Sequence, residues 1–485
     1  MKLKEVSHLL GAPSPGGQEA DIEITKVVTS SHLADENTLF YARDGMRHCA
    51  KDTAYDALRH GCRAVLTDSR NVIVENALCF TSNRAEKIAL TLEKHLYYDT
   101  LNDLEFVFIT GTKGKTTVAH MLSHILNSIG IPPATSGTIG FSFSGKIQKL
   151  QNTTPDIFTL LPYIEQAKNE GARVVVLEVS SQALLKHRVD GIRGRFGIFT
   201  GIGADHIDER EHENFSDYRD AKHRLFRDFG ITTAFSPRNI SLAPFMTSGV
   251  KERFFVDTKA PSDLTLTPLK MSKSDILYSD GKREDILSLC GEYNLQNAAL
   301  ALLCASRIAS VSPFLLYPTL RNFSIAGRGE RLSIHGREII IDYAHNAESV
   351  EALMSGLRPF LKGKSIAVSG SVGDRSHFRR LPLAKALERL FDVSVLTEDD
   401  THDEKREDII AQMYSAFVDK DKALVEPDRE RAIVLALSIA KEGDTVFLLG
   451  KGHERYLIRE GVRIPFSEKK IVQDFYLQNA LPRTE

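Results

Sequence analysis

No run of about 18 apolar residues occurs anywhere in the chain, so no stretch is built to cross a bilayer as a helix. The opening stretch, Met1 to Gly17, has neither the apolar core nor the small-residue cleavage site of a secretory signal. An excess of charge of one sign is also missing. Lys and Arg number 62 against 64 for Asp and Glu, a formal net charge of -2. That balance gives no electrostatic reason to expect nucleic acid or an anionic membrane as partner. Cysteine is scarce: Cys49, Cys62, Cys79, Cys290 and Cys304 form no CxxC pair. An odd, scattered set reads as reduced, mostly buried thiols, and the expectation is a cytoplasmic protein. Internal repeats and low-complexity tracts are absent too, which excludes a solenoid.

What the chain does have is ordinary soluble composition, 42% apolar and 26% charged, over 485 residues. That length exceeds one hydrophobic core and suits about two to four domains. The first hundred residues alternate strands (Thr38 to Ala42, Arg63 to Thr67) with a helix from Thr53 to His60. A new pattern opens at Leu104 to Thr110, an apolar run of strand length followed by a glycine and a helix from Thr116 to Ile129. Further strands are predicted at Arg173 to Val179, Gly197 to Thr200, Ile339 to Asp342, Ser365 to Ser369, Val393 to Thr397 and Thr445 to Leu449. Helices predicted at Phe158 to Asn169, Glu348 to Leu361 and Arg429 to Lys441 separate many of them. This alternation argues for an α/β protein with parallel, doubly wound sheets. Arg321 to Arg328, after a helix from Leu295 to Ile308, reads as a linker. Three domains are expected, spanning 1–100, 101–326 and 327–485.

Gly111-Thr112-Lys113-Gly114-Lys115-Thr116-Thr117 lies between a strand and a helix, the frame that a phosphate cradle requires. Lys115 would reach the β- and γ-phosphates, and the Thr116 hydroxyl would ligate Mg²⁺. The general pattern has four residues between its first glycine and the Gly-Lys pair. Only Thr112 and Lys113 intervene here, so a strict search misses it. Two more strands end in polar residues, giving Glu178 with Ser180 and Ser181, and Asp205 with His206 and Asp208. Ligands sit beyond the carboxyl ends of strands in open parallel sheets, so Glu178 and His206 would converge on the mouth that holds Lys115 and Thr116. A carboxylate and an imidazole there suit Mg²⁺. Read singly, Glu178 would be a surface acid and His206 a structural histidine.

Nine segments carry a resemblance. They are Gly111–Thr117, Asn152-Thr-Thr-Pro-Asp156, Glu178-Val-Ser-Ser-Gln-Ala183, His187-Arg-Val189, Asp205-His-Ile-Asp208, Asp217–Phe226, Gly327-Arg-Gly-Glu330, Asp342-Tyr-Ala-His-Asn346 and Gly450-Lys-Gly-His-Glu454. In this order they resemble the Mur ligases of peptidoglycan synthesis, and among them the MurE type. The resemblance implies an N-terminal α/β uridine-nucleotide module, a central P-loop ATPase-like parallel sheet and a C-terminal Rossmann-like domain. It implies ATP and Mg²⁺ as cofactors and a carbamylated Lys222, since CO₂ turns that ammonium into an anion able to approach the metal. Lys115, Glu178, His206 and Lys222 would be catalytic, with Thr116 and the last three at the metal. Asn294 and Asn297 match the motif that contacts the nucleotide base, while Arg328, Asp342 and His345 match groups that close over ATP. Thr153, Thr154, Ser180, Lys186 and Arg188 fall where the muramoyl-peptide substrate is held. Arg380 and Glu454, with Gly450, match positions that bind the incoming amino acid.

The sequence also departs from the family. The Asp-Ser-Arg uridine signature stands here as Ser30-Ser31-His32, so only Ser31 carries over. Gln182 replaces a frequent His, and Lys186 stands where Gln is common. Diaminopimelate-adding relatives carry Asp-Asn-Pro-Arg, whose arginine meets the distal carboxylate. The matching stretch is Asp399-Asp400-Thr401-His402, followed by Asp403 and Glu404. An acidic pocket attracts a side-chain ammonium and repels a second carboxylate, so L-lysine is expected, with L-ornithine or meso-diaminopimelate as alternatives. The expected partners are UDP-N-acetylmuramoyl-L-alanyl-D-glutamate and a free diamino acid, acted on by a monomer. Folylpolyglutamate or cyanophycin-type synthetases are rivals, as is a non-catalytic P-loop nucleotide switch.

Overall fold

The computed structural model describes residues 1–9, 11–12, 15–44, 49–69, 72, 78–150, 152–203, 212–334, 336–373 and 377–480. Among them lie three parallel or largely parallel sheets. The first has four parallel strands in sequence order, Lys26–Val28, Thr38–Ala42, Ala64–Thr67 and Leu78–Thr81. Its middle strands are buried along their whole length, as expected where helices cover both faces.

The central sheet has nine strands. From one edge these are Leu264–Thr265, Glu252–Asp257, Thr233–Pro237, Phe196–Phe199, Glu105–Thr110, Val174–Glu178 and Pro133–Gly137, all parallel. Gly140–Phe143 and Lys146–Gln148 then add on antiparallel. Glu105–Thr110 lies between Phe196–Phe199 and Val174–Glu178, so the chain leaves it in one direction and returns on both sides. That reversal is where an open α/β sheet forms its crevice. Ile109 stands opposite Glu178, and Thr110 opposite Phe199, so all three strands end at one level. Two helices, Lys115–Ser128 and Glu292–Ala309, pack together and bury most of their length against the sheet.

The third sheet runs Glu330–Ile334, Arg337–Asp342, Thr445–Leu449, Ser365–Ser369, Val393–Leu396 and Ala423–Val425, parallel except for the first pair. Its core forms two clusters, one on each face. The predicted strands at 339–342, 365–369 and 445–449 fall on these elements. All five cysteines are unpaired: Cys62, Cys290 and Cys304 are buried, Cys79 is half-buried and Cys49 is exposed. Among the described residues, no single helix is long and apolar enough to cross a membrane.

Candidate active site

The loop after Thr110 turns sharply, and Gly111 takes a positive φ of 154°. A side chain there would also collide with Thr200, whose hydroxyl bonds the carbonyl of Lys113 at 2.5 Å. The loop is thus pinned to the end of the neighbouring strand. Lys115 opens the helix Lys115–Ser128, and its Nζ donates to the carbonyls of Gly111 and Thr112 at 2.9 and 3.2 Å. Backbone N–H groups at a helix start, a lysine folded over the loop and a hydroxyl beside them fit a nucleotide phosphate chain.

Glu178 is 1% exposed, at the end of its strand. Its Oε2 accepts from Thr116 Oγ1 at 2.8 Å, and its Oε1 accepts from the backbone N–H of Thr138 at 3.0 Å. A hydroxyl and a carboxylate in contact beside the phosphate loop are oxygen donors of the kind a hard divalent cation takes, alongside waters and phosphate oxygens.

Lys222 reaches the same loop from the helix Phe215–Asp228. That helix is capped by Asn214, whose side chain accepts from Asp217 N–H, and it buries Tyr218, Ala221, Lys222, Leu225 and Phe226. The spacing is that of an apolar stripe, and the lysine stands within it. Its Nζ lies 3.1 Å from the Gly111 carbonyl and 4.5 Å from the centre of the Tyr218 ring. The Tyr218 hydroxyl in turn bonds Thr112 Oγ1 at 2.9 Å. His206 lies outside the described residues.

Thr116 and Lys222 line a cavity of about 690 Å³ walled by the central and third sheets, and Glu178 lies just behind Thr116 and Thr138 in its wall. Of the nucleotide and acceptor residues expected from sequence, Thr112 through Thr117, Thr153, Thr154, Ser180, Arg188, Asn294, Asn297, Arg328, Asp342 and His345 line it. Of the amino-acid residues, Asp399, Asp400, His402, Gly450 and Glu454 do so. Arg188 donates to the Thr154 carbonyl at 3.1 Å. Burial raises the Asp342 carboxyl above its ordinary range, against the pull of Arg328. It accepts from the N–H groups of Gly329 and Ala344 at 2.7 and 2.8 Å, fixing the linker to the third sheet.

Three expected residues stand apart. Ser31, in the first module, donates to Asp56. Lys186 is exposed just beyond the short helix Ser181–Leu185. Arg380 has a fully buried side chain, bonded to Glu404 and Gln412, each at 2.9 Å. Its neighbour Arg379 lines the cavity instead.

The acidic stretch also differs from its appearance in sequence. Lys451, 0% exposed, pairs with Asp400 at 2.8 Å and Glu454 at 2.5 Å, and lies 3.7 Å from Asp399. These three carboxylates hold Lys451 protonated despite its burial. Lys451 and Arg429 outweigh burial and keep Asp399 below the usual carboxylate range, whereas burial and Asp399 push Asp400 up. Burial, with Asp399 and Asp400 alongside, lifts Glu454 to about 7 against the pull of Lys451. Glu404 is spent on Arg380. The wall stays negative, but less so than its row of acids suggests.

Sequence reading assigned no role to Thr138, Lys451, Arg429 or Arg379. Lys451 lies within Gly450–Glu454, and only its burial reveals what it does. Thr138 follows a glycine in an unremarked turn, with no pattern to mark it.

Residues 109–305 match the Mur ligase middle domain, and residues 327–452 match the Mur ligase, glutamate ligase domain. The chain is 30% identical over 462 residues to a UDP-N-acetylmuramoyl-L-alanyl-D-glutamate–2,6-diaminopimelate ligase of Aquifex aeolicus, covering 92% of each protein. A solved ligase of that name superposes with a TM-score of 0.63 at 22% identity, covering 99% of this chain and 100% of the other. MurF from Acinetobacter baumannii superposes with a TM-score of 0.69 at 15% identity, covering 98% of each chain. The glycine loop, the carboxylate beside it and the third sheet closing over both therefore belong to a known plan: the chain is a member of the Mur ligase family.

Proposed function

We propose that the protein is an ATP-dependent ligase that adds the third amino acid to UDP-N-acetylmuramoyl-L-alanyl-D-glutamate. The observation that carries this reading is the convergence of Thr116, Glu178 and Lys222 on one glycine loop, beside a cavity that Thr116 and Lys222 line and the third sheet completes. The names of its relatives, UDP-N-acetylmuramoyl-L-alanyl-D-glutamate–2,6-diaminopimelate ligases, support the acceptor. A P-loop switch would have no use for a buried lysine from a separate helix at the loop. The acceptor carboxylate attacks the γ-phosphorus of ATP, giving ADP and an acyl phosphate. The amine then attacks that carbonyl, inorganic phosphate leaves, and the amine proton passes to solvent or a nearby base. Lys115 neutralises phosphate charge, Arg188 and Thr154 orient the acceptor, and the third sheet excludes water from the acyl phosphate. Mg²⁺ held by Thr116, Glu178, His206 and a carbamylated Lys222 would neutralise phosphate charge when bound. The carbamate forms by attack of the Lys222 amine on CO₂ with loss of a proton. Labelled bicarbonate should give a ¹³C carbamate signal that Lys222→Ala abolishes.

For the entering amino acid the reading is a diamino acid, with L-lysine favoured over L-ornithine and meso-diaminopimelate. Three carboxylates, Asp399, Asp400 and Glu454, surround the single ammonium of Lys451 at this wall, and a histidine, His402, stands where diaminopimelate-adding enzymes carry arginine. The Aquifex aeolicus relative and the solved ligase of the same name are named as diaminopimelate ligases. One assay tests all of this: ADP formation from ATP and the uridine-linked dipeptide with each amino acid in turn. Turnover with lysine and little with meso-diaminopimelate is expected. Strong turnover with diaminopimelate alone rejects the charge argument, and none with any amino acid rejects the ligase. A monomer in the cytoplasm, without nucleic-acid or membrane partners, completes the proposal.

A further inference from the structure

Thr138 follows the strand Pro133–Gly137, which pairs with the strand that ends in Glu178. It holds Glu178 twice. Its N–H donates to Oε1 at 3.0 Å and its hydroxyl donates to Oε2 at 3.2 Å. The same hydroxyl lies 3.2 Å from Thr116 Oγ1, on the nucleotide side, and 3.4 Å from Thr153 Oγ1, on the acceptor side. Thr116 also bonds Glu178, but Thr116 sits in the phosphate loop and answers to whatever occupies it. The two contacts from Thr138 come from outside that loop.

We propose that Thr138 is a positioning residue that fixes the Glu178 carboxylate for a divalent cation and ties it to the acceptor loop. This rests on reading the glycine loop as a nucleotide and metal site. The group that binds the cation is Glu178; Thr138 acts through it. A residue that orients a metal ligand in this way governs affinity for the metal more than the fold.

Thr138→Val keeps the size and the N–H but removes the hydroxyl, while Thr138→Ser keeps both. Mn²⁺ binding in the presence of ADP, followed by electron paramagnetic resonance, should weaken about tenfold or more in Thr138→Val. The Mg²⁺ concentration for half-maximal ADP formation should rise in step, with the melting temperature unchanged. Thr138→Ser should restore both to near wild type. Should the valine variant fail to fold, Thr138→Ala takes its place with the same expectation. Mn²⁺ binding by the hydroxyl-free variant equal to wild type overturns the proposal. If wild type makes no ADP with acceptor and amino acid, the ligase reading falls, and the Mn²⁺ measurement still decides Thr138.

Discussion

Gly137 has no side chain because Glu178 occupies the space. A Cβ there would lie 1.9 Å from Oε1, so the carboxylate must move if one is added. Displacing a reacting-site group by about 1 Å costs ~100-fold in rate, so Gly137→Ala should lower kcat by that order with the fold intact, as steady-state kinetics and circular dichroism will show. Glu454 gives a second prediction at this scale. Its carboxyl titrates near 7 among Lys451, Asp399 and Asp400. Above that pH it is ionised and can pair with an incoming ammonium; below it the pairing is lost. The KM for the amino acid should therefore fall as pH rises through about 7, and Glu454→Gln should flatten that dependence.

Among the elements, the helix His377–Leu390 meets the helix Arg406–Ser415 through Arg380, which bonds Gln412 on the second helix and Glu404 just before it. Truncating one partner of a buried ion pair leaves the other charge stranded, at a cost of about 3–5 kcal/mol. Arg380→Ala should lose stability of that order in denaturant unfolding, while the folded fraction keeps its KM for the amino acid. The helix Ala347–Leu357, opened by a capping box between Asn346 and Ser349, reaches across the cleft, where Glu348 pairs with Lys113 of the phosphate loop at 2.9 Å. Both partners are substantially exposed, so the bond is worth about 0–1 kcal/mol, and Lys113 can leave it for a phosphate at little cost.

At the scale of the whole molecule, one cavity takes its walls from strands and helices of two sheets that lie far apart in sequence. A cleft completed by the third sheet holds an acyl phosphate away from water until an amine arrives. ADP release with ATP and acceptor but no amino acid should then fall to background after at most one turnover, as rapid-quench measurements will show. The first module is joined to this assembly through Asp156, which accepts from Thr29 at 3.1 Å, pairs with Arg43 and caps the helix Ile157–Asn169.

The sequence alone determined the α/β plan, the phosphate loop and the strand ends that carry Glu178, because periodicity and turn chemistry are local. It could also have placed Lys222 in the core, since that lysine falls on the buried stripe of its own helix. Only the tertiary structure decided which acids near 399–404 keep their charge for a ligand, that Arg380 is spent inside the third domain, and that Thr138 stands against Glu178. Each of those facts is a contact between residues far apart in the chain, and burial changes the charge and the partners of a side chain in ways that its neighbours in sequence do not encode.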